Sequence, residues 1–166
     1  MQTMVDLNAL VSAVGDAVVV SDADGRITLW NKAAERLFGY TEAEALGKSL
    51  DLMIPERLRK GHWDGYRKTM ETGITRYGTE VLQVPAIDKA GRSFSIAFTV
   101  ALLYSADGNV SAIAAVMRDD TRRFERDRTQ RKRISELETQ VKETATTTMD
   151  ASSNTPPRGG CPVHAE

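Results

Sequence analysis

The chain has 166 residues, 41% of them hydrophobic, enough to bury one core of ordinary domain size and too few for two. Its 22 basic and 23 acidic side chains nearly cancel to a formal charge of -1, so no overall field draws it onto nucleic acid or an anionic membrane. The one cysteine, Cys161, has no partner for an intrachain disulfide, and nowhere do about 18 apolar residues run together as a membrane span requires.

In chain order, the opening MQTMVDLNAL lacks the basic region and cleavage site of a signal peptide, so a cytoplasmic protein is expected. Leu7, Leu10, Val11 and Val14 recur at helical spacing and predict a short amphipathic helix. Ala17 to Ser21 and Ile27 to Trp30 are β-rich runs flanking Asp22-Ala-Asp-Gly25, whose aspartates and glycine suit a tight turn, so they predict a hairpin. Asn31 to Phe38 has a helix's composition and is stopped by Gly39, and Thr41 caps a second short helix that ends at Gly47. Pro55 suits a first helical position and opens a longer helix to about Glu71, with His62 in its second turn.

Extended segments follow at Thr75 to Ile87, Ser93 to Tyr104 and Asn109 to Met117, separated by glycine-containing turns at Asp88-Lys-Ala-Gly91 and Ala106-Asp-Gly108. Two strands, a helical middle and three strands predict an α+β domain with a five-stranded antiparallel sheet, short helices covering one face. Beyond Asp120 the stretch TRRFERDRTQRKRISELETQ is highly charged and free of glycine and proline. Ile134, Leu137 and Val141 follow coiled-coil spacing, but Asp127 and Gln130 make the earlier seam polar, so a short coil is expected. After Glu143 the composition turns small and polar with paired prolines and glycines, which predicts disorder.

Taken together, AVVVSDADGRITLWNKAAERLFGYTEAEALGKSL, IPERLRKGH, DKAGRSF and AAVMRDDTRR occur in the order found in PAS domains of the S-box type, and the chain resembles that family over about residues 7 to 122. The resemblance implies a helical cap at 1–15, a PAS domain at 16–122, an exit helix with a short coiled coil at 123–143 and a tail at 144–166. It also implies a ligand pocket between sheet and helical middle and a sensory, non-enzymatic role, since no kinase, cyclase or phosphodiesterase motif is present. Fold by itself selects no ligand.

The motifs are most similar to the haem-bearing oxygen sensors of the FixL and Dos type. Those carry their proximal ligand seven residues after the proline of an Ile/Met-Pro motif, the spacing of Pro55 to His62 here. The resemblance then implies haem b ligated by His62 as the metal ligand, with Lys68 and Arg76 facing the propionates. Leu82 stands where a distal arginine would hydrogen-bond oxygen, and Glu80 where the Dos type has a distal methionine. Gly65 replaces a tyrosine, with Tyr66 one position later. An apolar distal side of Leu82, Phe98 and Val100 implies carbon monoxide, nitric oxide or redox sensing, with Glu80 or Tyr77 as a sixth ligand.

The alternative reading makes His62 a partly exposed helix residue of a cofactor-free or metabolite-binding adaptor. Flavin is a minor option through Trp30 or Trp63, and a photoactive cysteine adduct is excluded because Cys161 lies in the tail. Cys161-Pro162 with His164 reads as solvated tail, and three widely spaced Cys and His residues give no zinc site. Arg118, Asp119, Asp120 and Thr121, between the last strand and the exit helix, are expected to carry the output or simply to cap the helix. On either reading the expected partners are a second copy of the chain and a signalling protein such as a histidine kinase or another PAS protein, with a diatomic gas if haem is held.

Overall fold

The computed structural model describes residues 5–75 and 80–152, with side chains described as far as residue 143. In order it runs α1 (Leu7–Ala13), β1 (Ala17–Asp22), β2 (Ile27–Trp30), α2 (Lys32–Phe38), α3 (Glu42–Ala45), a 3-10 turn at Leu50–Leu52, α4 (Glu56–Thr72), β3 (Leu82–Ile87), β4 (Ser93–Tyr104), β5 (Val110–Asp119) and α5 (Thr121–Ser152). The strands form one antiparallel sheet in the order β2-β1-β5-β4-β3. The chain divides into two compact units, one ending at Phe124 and the other beginning at Glu125.

Strand register explains where the core lies. Val19 pairs with Trp30 and Ala115, and Ala115 with Val100; Ser21 pairs with Ile27 and Ile113, and Ile113 with Leu102; Ala17 pairs with Met117, and Met117 with Phe98. Side chains alternate along a strand, so these rows share one face. The helical middle covers that face, with Phe38 between Trp30 and Phe94 at ring separations of 5.4 and 5.7 Å. Trp30 is only 2% exposed and its Nε1 donates to the Tyr40 carbonyl at 3.0 Å, so it serves the core.

The caps follow from local chemistry. Gly39 ends α2 at φ 79°, and Thr41 and Glu44 form a reciprocal capping box at the start of α3. Asn31 does more than cap. Its Oδ1 accepts from the amides of Ala34 and Val18, both at 2.9 Å, and its Nδ2 donates to the carbonyls of Val11 and Asp16, both at 3.0 Å. One buried amide therefore fastens α1, the approach to β1 and the start of α2 together.

Two segment boundaries differ from expectation. The third strand begins at Leu82 and not at Thr75: Glu80 and Val81 are outside it, and the first residue to find a partner in β4 is Leu82, opposite Phe98. The exit helix continues through Ser152, nine residues into the segment expected to be disordered. No proline or glycine interrupts TATTTMDAS, and adding a residue to an existing helix is far easier than nucleating one. Cys161 and His164 lie outside the described residues.

Candidate functional site

The inward side chains of α4 recur at steps of three and four: Leu58, His62, Trp63, Tyr66 and Met70 are shielded, while Lys60, Asp64, Arg67 and Lys68 are exposed. This amphipathic spacing sets His62 on the inner stripe. Tyr66 anchors that stripe to the sheet, its hydroxyl donating to the Asp22 carbonyl at 2.5 Å and lying 2.9 Å from Ser21 Oγ. Trp63 reaches the other way, its Nε1 donating to Asp51 Oδ1 at 2.9 Å. Arg59 holds the same turn, donating to the carbonyls of Ile54 and Asp51 at 3.1 and 3.2 Å.

The three rings pack as a cluster, with His62 5.0 Å from Trp63 and 5.7 Å from Tyr66, and Trp63 5.4 Å from Tyr66. The indole lies over the hairpin turn, where a Cβ built on Gly25 would stand 2.2 Å from its Cη2. Gly25 also has φ 74°, so the turn needs glycine for its backbone and for the ring above it. Within this cluster Nδ1 of His62 is buried with no hydrogen-bond partner. Burial lowers the His62 pKa, opposed by the Asp51 carboxylate, and so favours neutral imidazole with a lone pair to offer. Burial also raises the Tyr66 pKa, which keeps its hydroxyl protonated as the donor to Asp22.

The profile of the family described as PAS fold matches residues 6–119. The chain belongs to the PAS family. It is 40% identical over 73 residues to the sensor protein FixL of Bradyrhizobium diazoefficiens, covering 44% of this chain. With the oxygen sensor protein DosP of Escherichia coli it shares 31% identity over 108 residues, 65% of the chain. The matched stretch is 13% of the length of each of these two relatives. A crystal structure of the PAS domain of a protein from Colwellia psychrerythraea superposes with a TM-score of 0.61 at 22% identity, covering 70% of this chain and 95% of that one.

Within this PAS domain, Leu82, Phe98 and Val100 share the inner face of the sheet, Leu82 directly opposite Phe98. Tyr66 is anchored at Ser21, in the Leu102 row, so Phe98 lies four residues or about 13 Å along β4 from it and Val100 about half as far. Lys68 is exposed on the outer side of α4, away from the His62 stripe, and Glu80 is exposed ahead of β3. Arg76 and Tyr77 lie outside the described residues. Gly65 is exposed, while Tyr66 takes the buried position.

The junction with α5 is held at several points. Arg118 donates to both carboxylate oxygens of Asp16 at 2.8 and 2.7 Å. Asp119 accepts from the Thr121 amide at 2.9 Å, which is the capping role. Asp120 accepts from Gln83 at 2.6 Å, and the Thr121 hydroxyl accepts from the Ser95 amide at 3.1 Å. The end of β5 is thereby tied to the approach to β1, to β3 and to β4.

Ser21, Asp51 and Arg59 complete the site without having been legible as functional residues, because each acts on a partner that only folding brings near. Asp51 lay behind a weak signal, an acid four residues before Pro55 in a short turn.

Among the described residues no group of three His, Cys, Asp or Glu could hold a metal ion. A single imidazole would suit haem iron, since the macrocycle brings its own nitrogen donors. The orphaned nitrogen of His62 is the feature of this chain that fits such a group. Among the described residues no helix is long and apolar enough to cross a membrane.

Proposed function

We propose that this PAS domain is a sensor that holds haem b through His62 and passes its state on by protein contact, as a homodimer and toward a signalling partner such as a histidine kinase. The observation that carries it is the buried, unpartnered Nδ1 on the inner stripe of α4. Burying a polar atom without a partner costs stability, and the cost is understandable when the ring is kept neutral for a ligand that the chain does not itself supply. The likeness to the sensor protein FixL and the oxygen sensor protein DosP points the same way.

When bound, haem supplies an iron centre that can change its oxidation state or take up a diatomic gas. His62 would hold it, while Leu82, Phe98 and Val100 give the sheet face a lining without donors. Leu82 has no group to hydrogen-bond oxygen, so the reading favours carbon monoxide, nitric oxide or redox state. Glu80 or Tyr77 would be the further ligand and Arg76 the propionate partner, whereas Lys68, on the outer side of α4, faces away from the His62 stripe. Tyr66 would carry movement of α4 into β1 through Ser21 and Asp22, and Asp16 and Arg118 would carry it onward to β5 and the Asp119-Asp120-Thr121 junction.

A second reading has one observation in its favour. Trp63 and Tyr66 already pack against two sides of the His62 ring, so the cluster fills space from within, as in a cofactor-free or metabolite-binding adaptor. Absorption spectra of protein from cells fed a haem precursor, recorded oxidised, reduced and with carbon monoxide beside His62→Ala, separate the two. A Soret band that shifts with reduction and vanishes in the variant is the expected result. Colourless protein that resists haem reconstitution would sink the haem reading and leave the adaptor.

A further inference from the structure

The second unit consists of α5 beyond its first turn, and two features of that helix bear on what it meets. The first is apolar: Ile134, Leu137 and Val141 are 56%, 51% and 67% exposed along one stripe. The second is charge. Residues 122–133 hold seven basic and two acidic side chains, and residues 134–143 hold three acidic and one basic. The helix is a rod, positive toward its start and negative beyond the midpoint of that stretch.

We infer that two copies of this chain pair antiparallel through α5, with Ile134 of one packing on Leu137 of the other. This rests on the homodimer of the proposed function and adds its arrangement.

The geometry decides between orientations. With Ile134 and Val141 at a positions and Leu137 at d, Arg131 and Glu138 occupy e, and Arg126 and Arg133 occupy g. A parallel, in-register pair would gain Arg133 against Glu138, but would also bring Asp127 against its own copy in the seam and Arg126 against Arg131, like charges in both of those places. An antiparallel pair centred between Ile134 and Leu137 brings e against e and g against g. Arg131 then meets Glu138 twice by symmetry, and Arg133 meets the neutral Gln140. Basic start lies over acidic end, and Asp127 no longer faces itself.

The apolar stripe covers only about two turns, so the pairing is weak and salt-sensitive. Charge therefore sets the orientation more than the affinity.

The test is the dimer dissociation constant of the full chain by sedimentation equilibrium at low ionic strength. Arg131→Glu should weaken the dimer about fivefold by setting two acids together twice, Glu138→Arg should do likewise, and the double exchange should restore it. In a parallel pair Arg131→Glu would instead tighten the dimer by relieving Arg126, and that result overturns the inference. So does a dimer indifferent to all three variants.

A second measurement does not depend on those side chains. A spin label at Glu125→Cys in a Cys161→Ser background should give a distance of roughly 40 Å, whereas a parallel pair, with this outward position side by side, would give roughly 25 Å and overturn the inference. A monomeric protein overturns it together with the homodimer. If that monomer still shows the His62-dependent Soret band, the haem reading stands without it.

Discussion

Asn31 and His62 are both shielded polar side chains of the same domain, and they are treated in opposite ways. Asn31 has four hydrogen bonds, two accepted and two donated, to three separate segments. His62 has none at the buried Nδ1, and the rings of Trp63 and Tyr66 pack against it. A buried amide satisfied on every side is a fastening, and its value is realised on folding. A buried nitrogen left over has its value, if any, in something that comes from outside the chain. The contrast marks where this fold spends its polar groups on itself and where it holds one back.

Removing the fastening should cost most. Asn31→Ala leaves the amides of Val18 and Ala34 and the carbonyls of Val11 and Asp16 without partners, and a loss of about 3 kcal/mol in denaturant unfolding is expected. A loss below about 1 kcal/mol would mean that water replaces the side chain and that the contrast is weaker than drawn. Next comes Gly25→Ala, which demands a positive φ from alanine and drives a methyl into Trp63. About 2 kcal/mol of destabilisation and an altered tryptophan emission are expected, because the ring covering the turn has to leave.

Tyr66→Phe deletes the hydroxyl shared with Ser21 and Asp22 while keeping the ring beside His62. A cost of about 1 kcal/mol is expected, with the aromatic cluster preserved in near-ultraviolet circular dichroism.

The smallest effect should come from His62 itself. Its pKa in the fold is held below the ordinary value of 6.5, so the unfolded chain takes up the proton first. The contribution of neutral His62 is then complete above about pH 6.5 and fades as the pH falls through the lowered folded value. His62→Phe, which cannot charge, should flatten that part of the stability profile. An unchanged profile would show that the ring protonates in place.

Elements with local signals were legible. Asn31, Gly39, the Thr41 cap and Pro55 all concern neighbours within a few residues, so the helices could be read from the chain, whereas the inward direction of His62 emerged only with the fold. The five strands were legible from their β-rich runs and glycine turns, and register then grouped Leu82, Phe98 and Val100 on one face. The remainder depends on partners far along the chain. Nothing near Asn31 announces that Val11 will be its acceptor, and nothing near Trp63 announces Asp51 or Gly25. Lys68 shows the limit from the other side: the family resemblance implied its role, but six residues from His62 it falls on the outer face of the same helix.

The bidentate Arg118–Asp16 pair joins residues 102 apart in sequence, and Ala17 and Met117 lie opposite each other in neighbouring strands. The polypeptide thus arrives in the sheet and leaves it through one doorway. A module built this way can be spliced into a longer protein without prising apart the two sides of the splice, because its ends already stand together. It can also be deleted or exchanged as a cassette. That architecture suits a stretch whose counterpart makes up 13% of FixL and of DosP.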